Sequence, residues 1–281
     1  MDDPRLTPAR PDLAAKYLEG KIVAARFVSG EEFEISDAIA PLRSAPSADA
    51  MLATQALKGE HVTIYDRNGE GWAWGQLKSD GYVGWLPDSA LAKPAATPTH
   101  KVMALRTFAF PGPSIKLPPV DTLVMGTVLT VIREHGPFAV TREGWYLPLQ
   151  HVGGVDRYVQ DFVAVAERFA GTPYLWGGKS SFGIDCSGLV QMALNAAGIP
   201  CPRDTDMQQD SLGRPLDAAD SGKLQRGDLI FWKGHVAIVR DALTIVHANA
   251  HHMATAIENT QQAIARIKAA GSEVAAIKGL T

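Results

Sequence analysis

Hydrophobic and polar positions change rhythm along this chain. Across residues 33–92 apolar and polar side chains alternate in short runs, at 54–57, 61–65, 72–77 and 82–86, with turn-rich stretches at 66–71 and 79–81 between them. Alternation of period two, broken by glycine, asparagine and aspartate, predicts short strands closing into a small barrel. A second β-rich stretch over 100–151 has runs at 101–105, 122–125, 127–132, 138–141 and 144–147. The two stretches end on similar segments, GYVGWLP (81–87) and EGWYLP (143–148), which predicts two divergent copies of one module. Between them KPAATPT (93–99) carries two prolines and reads as a stiff, exposed linker and a domain boundary.

Beyond residue 155 the pattern becomes mixed. Phe162, Val163, Ala166 and Phe169 recur at helical spacing within 156–169. Leu189, Ala193 and Ala197, with Val190 and Leu194 on an adjoining stripe, predict a second helix over 186–197, stopped by Gly198 and Pro200. Segments 228–232, 235–239 and 243–247 are short and β-like, joined by turns short enough for antiparallel neighbours. The polar, alanine-rich stretch 255–268 predicts a helix, and a short helix over 12–19 closed by Gly20 is expected in the N-terminal arm. The resulting plan is an arm (1–30), two barrels (31–95 and 96–153) and a C-terminal α+β domain (154–281).

Composition narrows the partners. The 281 residues are 46% hydrophobic and 20% charged, enough apolar material for packed cores and too little charge for a disordered chain. A net charge of -3 gives no electrostatic surplus toward nucleic acid or a membrane surface, so neither is expected as a partner. Apolar run 120–132 is interrupted by Asp121, Thr122, Gly126, Thr127 and Thr130, which is too short and too polar to span a bilayer. The first residues develop no basic region followed by an apolar core, so no export signal is expected. With Cys186 and Cys201 as the two cysteines, a reducing, cytoplasmic setting fits best, and the expected species is a monomer.

The chemistry concentrates around Cys186. A glycine-rich loop, PYLWGGKSSFGID (173–185), delivers this cysteine onto the first turn of the predicted helix. Unpaired amides and the positive dipole end there are expected to lower the thiol pKa and to supply oxyanion donors. Cys201 lies between Pro200 and Pro202 with no helix start beside it and reads as structural; spacing alone leaves a Cys186–Cys201 disulfide open. A thiol nucleophile needs a base and a group that orients the base. His235 and His247 fall on neighbouring predicted strands, His235 as general base and His247 as its orienting partner. Cysteine and histidine spacings match no standard zinc site, and neither a metal nor another cofactor is expected.

In series, PYLWGG, DCSGLVQ, RGDLIFW, HVAIV and IVHA make residues 157–260 resemble the NlpC/P60 cysteine peptidases of bacterial cell walls, and the upstream stretches resemble bacterial SH3 domains. The resemblance implies a papain-like α+β domain with a Cys186, His235 and His247 triad, preceded by two SH3-like barrels. It implies cleavage of γ-D-glutamyl to diamino acid bonds, diaminopimelate or lysine, in murein peptides. Tyr174 falls beside the oxyanion region, and Asp185 and Ser187 help to hold the substrate's amino end; from the residues alone, Asp185 equally suits a helix N-cap. The two-barrel plan resembles the subgroup that trims free murein peptides during recycling, in which the first barrel closes the site so that a free N-terminal L-alanine is required. Asp49 and Tyr82 are then candidate substrate contacts, with Trp85 and Trp176 as an aromatic wall. The rival readings are an exported hydrolase of intact peptidoglycan, a wall-binding protein with an inactive peptidase domain, and a thioester acyltransferase on the same fold.

Overall fold

A computed structural model describes residues 3–216 and 224–280. The chain divides into two compact units at the Val155/Asp156 boundary.

In the first unit, strands Glu31–Ile35, Ile39–Arg43, Leu52–Leu57, His61–Arg67, Trp72–Leu77, Val83–Pro87 and Leu91–Ala92 form one seven-stranded antiparallel sheet. Alternation turns Phe33, Ile35, Leu42, Val62, Ile64, Leu77 and Leu86 inward to a common core. Burying each such side chain stabilises the barrel by about 1.5–3 kcal/mol relative to exposure. Strands 31–35 and 39–43 fall outside the runs read from the sequence, the first opening on Glu31 and Glu32 and the second carrying Pro41.

The N-terminal arm departs from expectation. In place of a helix over 12–19, Ala14–Ala15 pairs in parallel with Phe27–Val28, followed by a single 3-10 turn, Lys16–Leu18. Leu13, Ala14 and Ala15 are fully buried, and eight residues are too few for helix propensity to resist that packing. Gly20 takes the left-handed conformation (φ 79°) that ends the turn.

The second β-rich stretch builds three small sheets, with His100–Val102 between Val128–Leu129 and Val152–Gly154, Arg106–Ala109 on Asp121–Val124, and Phe138–Thr141 between Val131–His135 and Tyr146–Pro148. Expected run 127–132 is thus two strands, parted at Thr130. Both stretches close with the same device, a strand, one 3-10 turn and a short strand: Val83–Pro87, Asp88–Ala90, Leu91–Ala92 in the first and Tyr146–Pro148, Leu149–His151, Val152–Gly154 in the second. The segment 93–99 is fastened rather than free: the Ala95 N–H donates to Glu34, Arg142 donates to the Ala95 carbonyl, and Thr99 N–H donates to Leu129.

Among the described residues, the second unit has a six-stranded antiparallel sheet, a two-stranded ladder of Lys179–Ser180 with Gly183–Ile184, and four α-helices. Its helices are α1 (Phe162–Arg168), α2 (Cys186–Ala196), α3 (Thr205–Ser211) and α4 (Thr260–Ala269). Its strands are β1 (Arg214–Leu216), β2 (Leu229–Trp232), β3 (His235–Val239), β4 (Thr244–Asn249), β5 (Ala254–Asn259) and β6 (Val274–Gly279), in the spatial order β1-β6-β2-β3-β4-β5. The expected helix over 255–268 is corrected: its first part is strand β5, paired along its length with β4, and only 260–269 is helical. Asn259 divides them as the N-cap, its side chain accepting from the Gln262 N–H. Ile230, Trp232, Ala237, Val239 and Ile245 cluster with Ala263, so α4 covers the sheet face that carries His235 at its end. Helices α1 and α2 pack together and against β3 and β4.

Candidate active site

Cys186 is the first residue of α2, and the loop before it is held by the residue that caps the helix. The Asp185 carboxylate accepts from Gly188 N–H (2.7 Å) and Gly177 N–H (2.8 Å), so one side chain ties the glycine loop to the first turn. Gly188 makes that junction possible: a Cβ there would lie 2.3 Å from the Gly178 carbonyl oxygen. Arg203 completes the strut, donating from both terminal nitrogens to Asp185 (2.9 and 2.7 Å) and also to Ser187 Oγ (2.8 Å). Arg203 and Asp185 are 1% and 6% exposed.

The Cys186 thiol is buried against the turn that leads into β3. Its sulfur lies 4.0 Å from the Gly234 carbonyl and 3.8 Å from Thr205 Oγ1, and the Val236 N–H donates to it. Gly234 and Val236 flank His235, so the thiol meets the backbone on both sides of this residue. His235 Nε2 lies 2.9 Å from His247 Nδ1, and His247 Nε2 lies 2.7 Å from Glu258 Oε1. Arg266, from α4, donates to the same Glu258 oxygen. The ring of Trp232 packs on His235 with centroids 5.5 Å apart.

Burial opposes the lowering of the thiol expected from the helix start. Burial pushes the Cys186 thiol up to about 11, and the Asp185 charge adds to the shift; Val236 N–H, Thr205 and Arg203 oppose it. Burial likewise brings His235 down to about 3, with His247 and Arg266 contributing. His247 falls to about 4 through burial, against the opposing pull of Glu258. Burial therefore favours the uncharged forms of all three groups, a thiol and two neutral imidazoles.

The remaining residues singled out by sequence fall in different settings. Tyr174, held by its N–H to the Met253 carbonyl (2.9 Å), has its phenol pushed up by burial, with Cys186 and Asp185 adding, so it stays an O–H donor. Trp176 is 60% exposed in the loop ahead of Cys186. Asp185 and Ser187, expected near a substrate amine, sit inside the buried strut with Arg203. Asp185 accepts from two backbone amides, Arg203 and the Ser187 hydroxyl (3.3 Å), so its charge is already matched and its lone pairs filled. In the first unit, Tyr82 packs into the barrel core, and Asp49 is an exposed turn residue whose N–H donates to Ser47 Oγ (3.3 Å). Trp85 lies 5.0 Å under the Arg10 guanidinium, which also covers Trp74. Cys201 and Cys186 are both buried and unbridged, so the disulfide left open by spacing is not formed.

Sequence reasoning did not find Arg203, Thr205, Glu258 or Arg266. His247, His252 and Glu258 place ligand atoms within 4.8 Å of one another. Glu258 is, however, paired with Arg266 and His252 Nδ1 with Asn249 (3.0 Å), which makes this a hydrogen-bonded cluster with a fixed cation beside it.

Residues 171–270 match the NlpC/P60 family and residues 42–91 match the bacterial dipeptidyl-peptidase SH3 domain. The chain carries an NlpC/P60 peptidase domain behind a bacterial SH3 domain. It is 29% identical to dipeptidyl-peptidase 6 of Lysinibacillus sphaericus, over 75% of this chain and 85% of that protein. It is 30% identical to the gamma-D-glutamyl-L-lysine dipeptidyl-peptidase of Bacillus subtilis (strain 168), over 66% of this chain and 65% of that protein. Among solved structures, an NlpC/P60 family protein from Bacillus cereus superposes with a TM-score of 0.74 at 22% identity, covering 89% of this chain and 99% of that one, which establishes the shared fold. The NlpC/P60 domain makes this chain a peptidase of the cysteine class.

Proposed function

We propose that this chain is a cysteine endopeptidase that hydrolyses the bond between the γ-carboxyl of D-glutamate and a diamino acid in murein peptides. The observation that carries the reading is Cys186 on the first turn of α2, facing the turn that bears His235, with His247 hydrogen-bonded behind it. Relatives named for γ-D-glutamyl-L-lysine dipeptidyl-peptidase activity support the choice of bond.

In the reaction, His235 takes the thiol proton as Cys186 Sγ attacks the γ-glutamyl carbonyl. The Cys186 N–H, at the first position of a helix and so without an intrahelical acceptor, and the Tyr174 hydroxyl are the donors for the oxyanion. His235 then protonates the departing amine, leaving a thioester on Cys186, and water, deprotonated by His235, releases the γ-glutamyl product. Trp176 offers an exposed apolar wall beside this centre. The favoured substrates are free peptides with an N-terminal L-alanine, met in the cytoplasm during peptidoglycan recycling.

Incubating L-Ala-γ-D-Glu-diaminopimelate, its N-acetylated twin and purified sacculi with the protein, and reading product masses, tests this. Cleavage confined to the free-amine peptide is expected. Cleavage of the acetylated peptide or of sacculi would instead mean an open groove and a wall-facing hydrolase.

A further inference from the structure

A histidine is an ambiguous orienting group, because its neutral ring has two tautomers and only one offers a lone pair at Nδ1. His247 Nδ1 faces His235 Nε2 at 2.9 Å, so one of these two nitrogens carries the hydrogen and the other accepts it. If His247 held its proton on Nδ1, His235 Nε2 would have to accept. The His235 proton would then sit on Nδ1, and the ring would have no lone pair left for the thiol. The carboxylate at the far side of His247 decides between these states. Glu258 Oε1, 2.7 Å from His247 Nε2 and paired with Arg266, is an acceptor only, so His247 Nε2 must donate.

We infer that Glu258 is a positioning residue that locks His247 in the Nε2–H tautomer and thereby makes His235 Nδ1 the basic atom of the site. The chain of dependence is continuous. Glu258 requires the proton on His247 Nε2; His247 Nδ1 is then an acceptor; His235 Nε2 is then a donor; His235 Nδ1 is then free to receive the Cys186 proton. Glu258 is well placed for this work. It lies on β5 immediately before Asn259, the N-cap of α4, and Arg266 reaches it from the helix that Asn259 starts. Strand pairing sets Glu258 opposite Ile245, two residues before His247 on β4, so sheet register and helix cap together fix the carboxylate. When His235 becomes an imidazolium, the anion behind His247 also stabilises the charge through the shared hydrogen-bonded chain. A neutral amide in the place of His247 would not need such a partner, because its acceptor oxygen has no tautomer to lose.

This inference rests on Cys186, His235 and His247 being the reacting groups. The test is a double-mutant cycle in the full chain, with kcat and KM for L-Ala-γ-D-Glu-L-Lys measured for the natural protein, Glu258→Ala, His247→Asn and the double variant. Glu258→Ala is expected to lower kcat on the order of 100-fold with KM little changed, the scale of a general base in the wrong protonation state. In the His247→Asn background the same substitution is expected to change kcat by less than about threefold, because the tautomer it controls is gone. Equal loss in both backgrounds would make Glu258 a strut between β5 and α4 and overturn the inference. Should Glu258→Ala fail to fold, imidazole nitrogen NMR of the natural protein decides: protons on Nε2 of both His235 and His247 uphold it, and a proton on His247 Nδ1 refutes it. The NMR result is independent of turnover, so a protein that leaves the peptide uncut would refute the proposed function while the tautomer is still determined.

Discussion

Cys186 and Cys201 are both buried and outside any disulfide, and their surroundings separate them. Cys186 heads a helix and meets the His235 turn, whereas Cys201 accepts from Gln208 (3.3 Å) in a loop. Cys186→Ala is expected to abolish turnover with an unchanged unfolding midpoint, and Cys201→Ser to leave kcat nearly unchanged; comparable losses would remove Cys186 as the nucleophile. A second expectation concerns the Asp185–Arg203 pair. Arg203→Met leaves a carboxylate buried without its cation and should cost about 3–5 kcal/mol in urea unfolding. A cost near zero would show that water reaches the pair. Cys186, His235 and His247 could be singled out in the sequence because each sits in a local pattern, a glycine loop before a helix or an apolar strand. Arg203 and Glu258 could not, since both act through partners distant in sequence and neither leaves a mark on its own neighbours.

The elements of the second unit exist to hold three chain segments at one point. The junction between the glycine loop and α2 is the tightest of these. Gly188→Ala would drive a methyl into the Gly178 carbonyl, so it should destabilise by about 1–3 kcal/mol and lower kcat, despite alanine's better helix propensity. Gly154→Ala, where a methyl meets open space, is the matched control and should alter neither. If Gly188→Ala were equally silent, the close approach would not be what positions Cys186. Periodicity revealed α1, α2 and strands β2 to β4, whose buried faces repeat regularly. It misread 254–259, where alanine and polar residues suit a helix but pairing with β4 prevails, and it missed β6, whose hydrogen bonds to β1 and β2 are long-range.

At the scale of the molecule, the buried neutral histidines couple the site to folding. His235 and His247 titrate at about 3 and about 4 in the folded chain against 6.5 for a free side chain. Between those values the unfolded chain binds protons that the folded one does not, so these groups lower stability as pH falls from 6.5 toward 4. Urea midpoints should decline across that window, and less so in His247→Asn; midpoints with the same pH dependence in both proteins would contradict the burial of neutral imidazole. The order of barrels and α+β domain was readable from changes in hydrophobic rhythm, whereas the packing of arm and barrels into one compact unit was not, because it depends on contacts such as Val83 N–H to the Arg5 carbonyl that no local pattern encodes. The central claim is that the Cys186 thiol cleaves the γ-glutamyl bond. Its most direct test is the product mass spectrum of L-Ala-γ-D-Glu-L-Lys after incubation with the natural protein and with Cys186→Ala. Release of L-Ala-D-Glu and lysine by the natural protein alone is the predicted result, and an intact peptide with the natural protein, or equal cleavage by both, would contradict it.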